Sequence, residues 1–141
     1  MQLFLGLLLM GWGGTSLATL DGLMQQFTWQ NRVLLVFAPQ ADHAALRQQN
    51  EYLELVTGGM LERDMVVLRS VAGKHLTVDG APSTIPGSAL NRRYVVAPDQ
   101  FRVILVGKDG TVKLEQSEPI TPDGLFALID RMPMRRHEMS R

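Results

Sequence analysis

The sequence predicts an α/β domain built on one mixed sheet, and three stretches carry that reading. Residues 33–37, VLLVF, form an apolar run of strand length without alternation. It is followed by a helical pattern over 42–56 and a second apolar run over 65–71. Strand, helix and strand at this spacing make a βαβ unit, with parallel pairing and a right-handed crossover. Residues 101–114, FRVILVGKDGTVKL, place Asp109-Gly110 between two strand-like segments, a strong hairpin signal. A capped helix at Thr121-Pro122-Asp123 then closes the order β-α-β-(α)-β-β-α.

Each element has a local cause. Residues 2–10 are almost wholly apolar, 11–15 are glycine-rich, and Ser16-Leu17-Ala18 gives the small-x-small pattern of a cleavage site. This reads as a secretory signal peptide over 1–18, although no Lys or Arg precedes its apolar core. A membrane anchor and a buried first strand are the alternatives. The run is short for a span, and Gly11, Gly13 and Gly14 interrupt it, so no stable membrane span is expected after cleavage. A single domain over 19–141 remains. Leu20, Leu23, Met24 and Phe27 recur at helical spacing, and Trp29 is expected to pack.

Lack of alternation in VLLVF predicts burial on both sheet faces. Pro39 ends that strand, Asp42 is positioned to cap the next helix, and Gly58 and Gly59 are expected to terminate it. Leu76 and Val78 fit a short extra strand with Asp79-Gly80 as a turn. A short helix is predicted over 88–94. Asp109-Gly110 predicts a type I′ turn. In the last helix Thr121 caps, Pro122 occupies the first position and Asp123 faces the positive helix end.

Composition narrows the chemistry. The 141 residues carry 14 basic and 14 acidic side chains, so nothing global argues for nucleic acid. There is no cysteine. Thiol catalysis, dithiol exchange and thiolate metal sites are therefore excluded, and no disulfide holds the domain. His43, His75 and His137 lack metal-motif spacing, no G-x-S-x-G elbow occurs, and Gly107-Lys108 precedes a turn rather than the helix of a phosphate loop. No cofactor is expected.

Two groups of residues are candidates for binding. Asp42 and His43 follow the first strand, where open α/β sheets bind ligands. Against this, Asp42 suits a helix cap and His43 a solvated first turn. Arg135, Arg136 and Glu138 lie in the tail RMPMRRHEMSR. Arginine pairs suit carboxylates or phosphates, and they also suit a structural tail.

The segments Trp29-Gln30-Asn31-Arg32, Glu62-Arg63-Asp64, VGKDG at 106–110 and IDRMPMRRHEM at 129–139 resemble the DUF4174 family. These are small bacterial proteins of unknown function, related to repeated domains of vertebrate extracellular matrix proteins of the DRO1/URB and sushi-repeat-containing groups. The resemblance implies a thioredoxin-like fold in which 39–42 occupy the place of a redox dithiol. Without cysteine that activity does not carry over. It implies a periplasmic or secreted domain with a protein partner in that compartment. Three functions follow as expectations: a non-catalytic binding or structural module, a thiol-independent enzyme acting on a small anion, or a redox accessory that docks on a cysteine-bearing partner.

Overall fold

The computed structural model describes residues 19–141. The expected leader, 1–18, lies outside the described residues. The elements are α1 (Leu20–Phe27), β1 (Arg32–Ala38), α2 (Ala44–Glu54), α3 (Thr57–Glu62), β2 (Met65–Val71), β3 (His75–Val78) and β4 (Ala81–Pro82). They continue with α4 (Gly87–Tyr94), β5 (Arg102–Val106), β6 (Val112–Gln116), α5 (Pro122–Asp130) and α6 (Pro133–Met139).

The strands make a six-stranded sheet in the order β4-β3-β2-β1-β5-β6. Only β1 and β2 are parallel; β5, β6, β3 and β4 each join antiparallel to their neighbours. This is a thioredoxin-like α/β fold, extended at one edge by the β3-β4 hairpin.

All seven residues of β1 are buried, which is why its sequence does not alternate. Leu34, Val36 and Ala38 join Leu46 and Leu53 of α2, Met60 of α3 and Leu125 and Ile129 of α5 on one face. Val33, Leu35 and Phe37 join Met24 of α1 and Leu90 of α4 on the other. The sheet is thus covered on both sides, and neither apolar layer is left to water.

Several local expectations are corrected. His43, not Asp42, caps α2: its Nδ1 accepts a hydrogen bond from the Ala45 amide at 3.2 Å. Gly58 and Gly59 do not end the helical region but lie inside α3. A Cβ on Gly59 would come within 2.6 Å of the Phe126 ring, so the residue is small because α5 packs there. At the 107–111 turn only Gly110 has positive φ, +83°. Gly110 N–H donates to the Gly107 carbonyl at 3.0 Å and Gly107 N–H to the Thr111 carbonyl at 2.9 Å. With the register slip between Leu105 and Val106, this is a type I turn closed by a left-handed glycine, not type I′. Asp109 keeps ordinary φ while its carboxylate accepts from the Thr111 amide and hydroxyl and from Lys113. Two successive positive φ values occur instead at Ala72-Gly73, +59° and +63°, between β2 and β3, and at Asp79-Gly80, +49° and +87°, between β3 and β4.

One further difference concerns Trp29, which does not pack and is 61% exposed. The tail forms α6, started by Pro133 at its first position.

The two helical glycines predict opposite outcomes. Nothing lies within 4 Å of a Cβ at Gly58, so Gly58→Ala should stabilise the domain by about 0.5–1 kcal/mol. Gly59→Ala should destabilise it by about 1–3 kcal/mol, because Phe126 must shift. Urea denaturation midpoints of the two variants check both signs.

Candidate functional site

The carboxyl end of β1 is the place where the fold would put a reactive group. There the chain reads Pro39-Gln40-Ala41-Asp42-His43. Asp42 is exposed. His43 is occupied as a helix cap, and its ring stacks on Phe101 with centroids 5.8 Å apart and planes 4° from parallel.

The opposite end of the sheet holds the charged residues. β1 and β2 run parallel and so begin at this end, while β5 runs antiparallel to β1 and ends there. Arg32 opens β1, Glu62-Arg63-Asp64 lead into β2, and Lys108 follows β5. The last turn of α5 supplies Asp130, and α6 supplies Arg135 and Glu138.

These side chains form one network. Glu138 accepts a two-pronged bond from Arg32, at 3.2 Å to each oxygen, and a bond from Lys108 Nζ at 2.7 Å. Lys108 also donates to Asp64 at 2.8 Å, and Arg32 donates to the Arg63 carbonyl at 3.0 Å. Arg63 grips Asp130 through both oxygens, at 3.0 and 2.9 Å, and its guanidinium lies 3.9 Å over the Phe126 ring. Arg135 bridges Asp130 at 3.0 Å and Glu62 at 2.6 Å. Arg32, Arg63, Lys108 and Arg135 therefore face Glu62, Asp64, Asp130 and Glu138, and the charges balance.

Burial makes this balance necessary. Arg32 is 1% exposed and Arg135 3%. An unpaired charge at such a position would cost several kcal/mol, and pairing with good geometry offsets it. Desolvation alone would raise the Glu138 pKa. The bonds from Lys108 and Arg32 outweigh it and hold that carboxyl down at about 2. Asp130 is lowered, first by the bond from Arg63 and then, against desolvation, by that from Arg135. Burial works to lower the Arg135 pKa, but Asp130 and Glu62 reverse it, and the net shift is upward.

The structure brings Arg135 and Glu138 together and places Arg136 elsewhere. Arg136 is exposed and has no ion pair among the described residues. Asp42 and His43 do not join them. They lie past the far end of β1 from Arg32, about 20 Å away at strand rise. Arg32, Glu62, Arg63, Asp64, Lys108 and Asp130 were not candidates on sequence grounds. Strand direction was the available signal: charges flanking the starts of two parallel strands and the end of an antiparallel neighbour must share one end of a sheet. No group of His, Asp and Glu suited to a metal ion occurs among the described residues. No helix there is long and apolar enough to cross a membrane.

The network fixes two outcomes. Glu138→Gln leaves Arg32 and Lys108 buried against a neutral group and should cost about 3–5 kcal/mol, whereas Lys113→Gln, exposed near the start of β6, should change stability by less than about 0.5 kcal/mol. Chemical denaturation of both variants checks the contrast. Because Glu138 titrates near 2 rather than at its ordinary 4.5, its contribution is present above pH 4.5 and is lost as pH falls from 4.5 toward 2. A pH series should show that part of the acid destabilisation missing from Glu138→Gln.

Comparison with known proteins agrees with the segments quoted above. A family model described as "Domain of unknown function (DUF4174)" matches residues 23–138. The zebrafish (Danio rerio) protein named Coiled-coil domain-containing protein 80 is 29% identical over 139 residues, covering 86% of this chain and 16% of that protein. The rat (Rattus norvegicus) Sushi repeat-containing protein SRPX is 32% identical over 126 residues, covering 86% of this chain and 27% of the relative. The rat Sushi repeat-containing protein SRPX2 is 25% identical over 130 residues, with 85% and 27% covered. The chain thus spans about a quarter or less of these relatives' lengths. With the family model matched across α1 to α6, the chain belongs to the DUF4174 family, domains of unknown function.

Proposed function

We propose that this chain is a non-redox binding or structural module of an exported protein, periplasmic or secreted. One observation carries the reading: the charged residues that mark the family bond to one another, in a balanced buried network that seals the base of the sheet. That arrangement secures a shape and leaves no free nucleophile or acid–base pair in it. The cysteine-free turn over 39–43 supports the same conclusion at the other end. Export is supported by the apolar stretch over 2–10 with Ser16-Leu17-Ala18, and by the resemblance to domains of extracellular matrix proteins.

A second reading, a redox accessory docking on a cysteine-bearing partner, has one observation in its favour. A groove of about 660 Å³ beside Gly73, Val95 and Pro98 opens near the carboxyl end of β1, since Ala72 N–H bonds the Ala38 carbonyl. Val95 there is 85% exposed at φ +56°, an unusual backbone for a β-branched residue. The enzyme reading needs His43 and the C-terminal arginines in one site, and the geometry supports none.

Chemical crosslinking and pull-down from a periplasmic or extracellular extract tests the proposal. A module of this kind should recover the same protein repeatedly, with equal yield in the presence and absence of dithiothreitol. Recovery that depends on thiol redox state would favour the accessory reading. No reproducible partner would overturn both.

A further inference from the structure

We infer that His43 is an acid-sensitive latch on the turn over 39–43. Its neutral ring caps α2 and lies over Phe101, and protonation withdraws the cap and loosens the turn. The latch sits at the carboxyl end of β1, away from the charged base of the sheet.

A helix leaves its first amides without carbonyl partners of its own. In α2 the Ala45 amide is one of these, and it donates to His43 Nδ1 at 3.2 Å. A ring nitrogen accepts only through a lone pair, so Nδ1 carries no proton and the single N–H of the neutral ring is on Nε2. An imidazolium has N–H groups at both nitrogens and no lone pair to offer. Turning the ring over puts a carbon where Nδ1 was, so a flip does not restore the bond. Among the described residues, side chains cap α1, α2 and α5. The caps of α1 and α5 are the hydroxyls of Thr19 and Thr121, which keep their acceptor oxygen in acid. Only α2 uses a side-chain type whose ordinary titration falls near about pH 6.5.

The same residue joins three pieces of chain. Its N–H donates to the Gln40 carbonyl at 3.2 Å, its carbonyl accepts from the Arg47 amide at 3.0 Å, and its ring stacks on Phe101. Phe101 is buried in the layer that also holds Leu46 of α2. The charged residues of the two packed segments are Asp42 and Arg47 beside His43, and Asp99 and Arg102 beside Phe101. Asp42, Arg47 and Asp99 are exposed, and Arg102 is bonded to Glu115. No carboxylate oxygen lies within 4.0 Å of the His43 ring nitrogens among the described residues, so no ion pair replaces the lost bond. The positive end of α2 also repels an imidazolium. The sign follows: the cap is present while the ring is neutral and is lost as falling pH adds a proton. Phe101 follows directly on Gln100, which lines the groove with Val95 and Pro98, so the latch adjoins the end of the sheet where open α/β folds take ligands.

Amide hydrogen exchange by NMR on the full chain, at about pH 7.5 and about pH 5, tests this, each rate being divided by the intrinsic rate at that pH. The variants are His43→Asn, which caps without titrating, and His43→Ala, which cannot cap. Protection of the Ala45 amide in the parent should fall about fivefold at the lower pH. In His43→Asn it should change by less than about twofold, and in His43→Ala it should be low at both. His75 and His137 are present in all three proteins, so their titration cancels in the comparison. Imidazole nitrogen shifts of the parent at the higher pH should place the His43 proton on Nε2. That measurement and the parent's pH series need no variant and hold even where a substitution unfolds the domain. A proton on Nδ1, constant protection in the parent, an equal fall in His43→Asn, or parent-like protection in His43→Ala at the higher pH would each overturn the proposal.

Discussion

The contact on which the base of this structure depends is the Glu138 carboxylate held between Arg32 and Lys108. β1 is the central strand and is buried along its whole length, so its first residue has no route to water. That residue is an arginine. A guanidinium at 1% exposure is tolerable only with a counter-charge fixed in place, and the last helix exists in its observed position to supply it. Lys108 imposes the same demand from the end of β5. Two buried cations therefore determine where α6 lies, and Arg135 then ties that helix to Asp130 and Glu62.

The apolar layers and the charged base do different work. Both sheet faces are filled by ordinary aliphatic packing, which favours collapse but tolerates many arrangements of the same volume. The base is directional. Two-pronged bonds from Arg32 and Arg63 fix the orientation of Glu138 and Asp130, and the ring of Phe126 beneath Arg63 fixes the approach of α5 to Gly59. Specificity of this fold thus resides at one end of the sheet, and the end that carries chemistry in other proteins of this architecture is left with a capping histidine stacked on Phe101.

Much of the fold was legible because its signals are local. VLLVF reads as a doubly buried strand, Thr121-Pro122-Asp123 reads as a helix start, and both are so in the structure. What was misread depended on partners distant in the chain. Gly58 and Gly59 look like a helix stop until Phe126 is seen against Gly59. Asp109-Gly110 looks like a type I′ turn until the aspartate's own bonds to Thr111 and Lys113 are counted. Trp29 looks like core until the bend before β1 turns it outward. The charged network was written in the sequence as isolated short motifs, and only strand direction could have joined them. Asp42 and His43, chosen for their place after the first strand, and Arg136, chosen for its side-chain chemistry, stand outside it.

The span of the base contacts also sets an order of events during synthesis. Arg32 and Glu138 are separated by 106 positions, and Arg135 and Glu62 by 73. The βαβ unit and the hairpin can pair while the chain is still being made, because their contacts are closer in sequence. Until α6 emerges, Arg32 has no carboxylate to pair with and Lys108 has only Asp64, so the base of the nascent sheet stays wet. Docking of the last helix expels that water in one late step, so a chain halted before residue 138 is left with an assembled sheet whose floor is open.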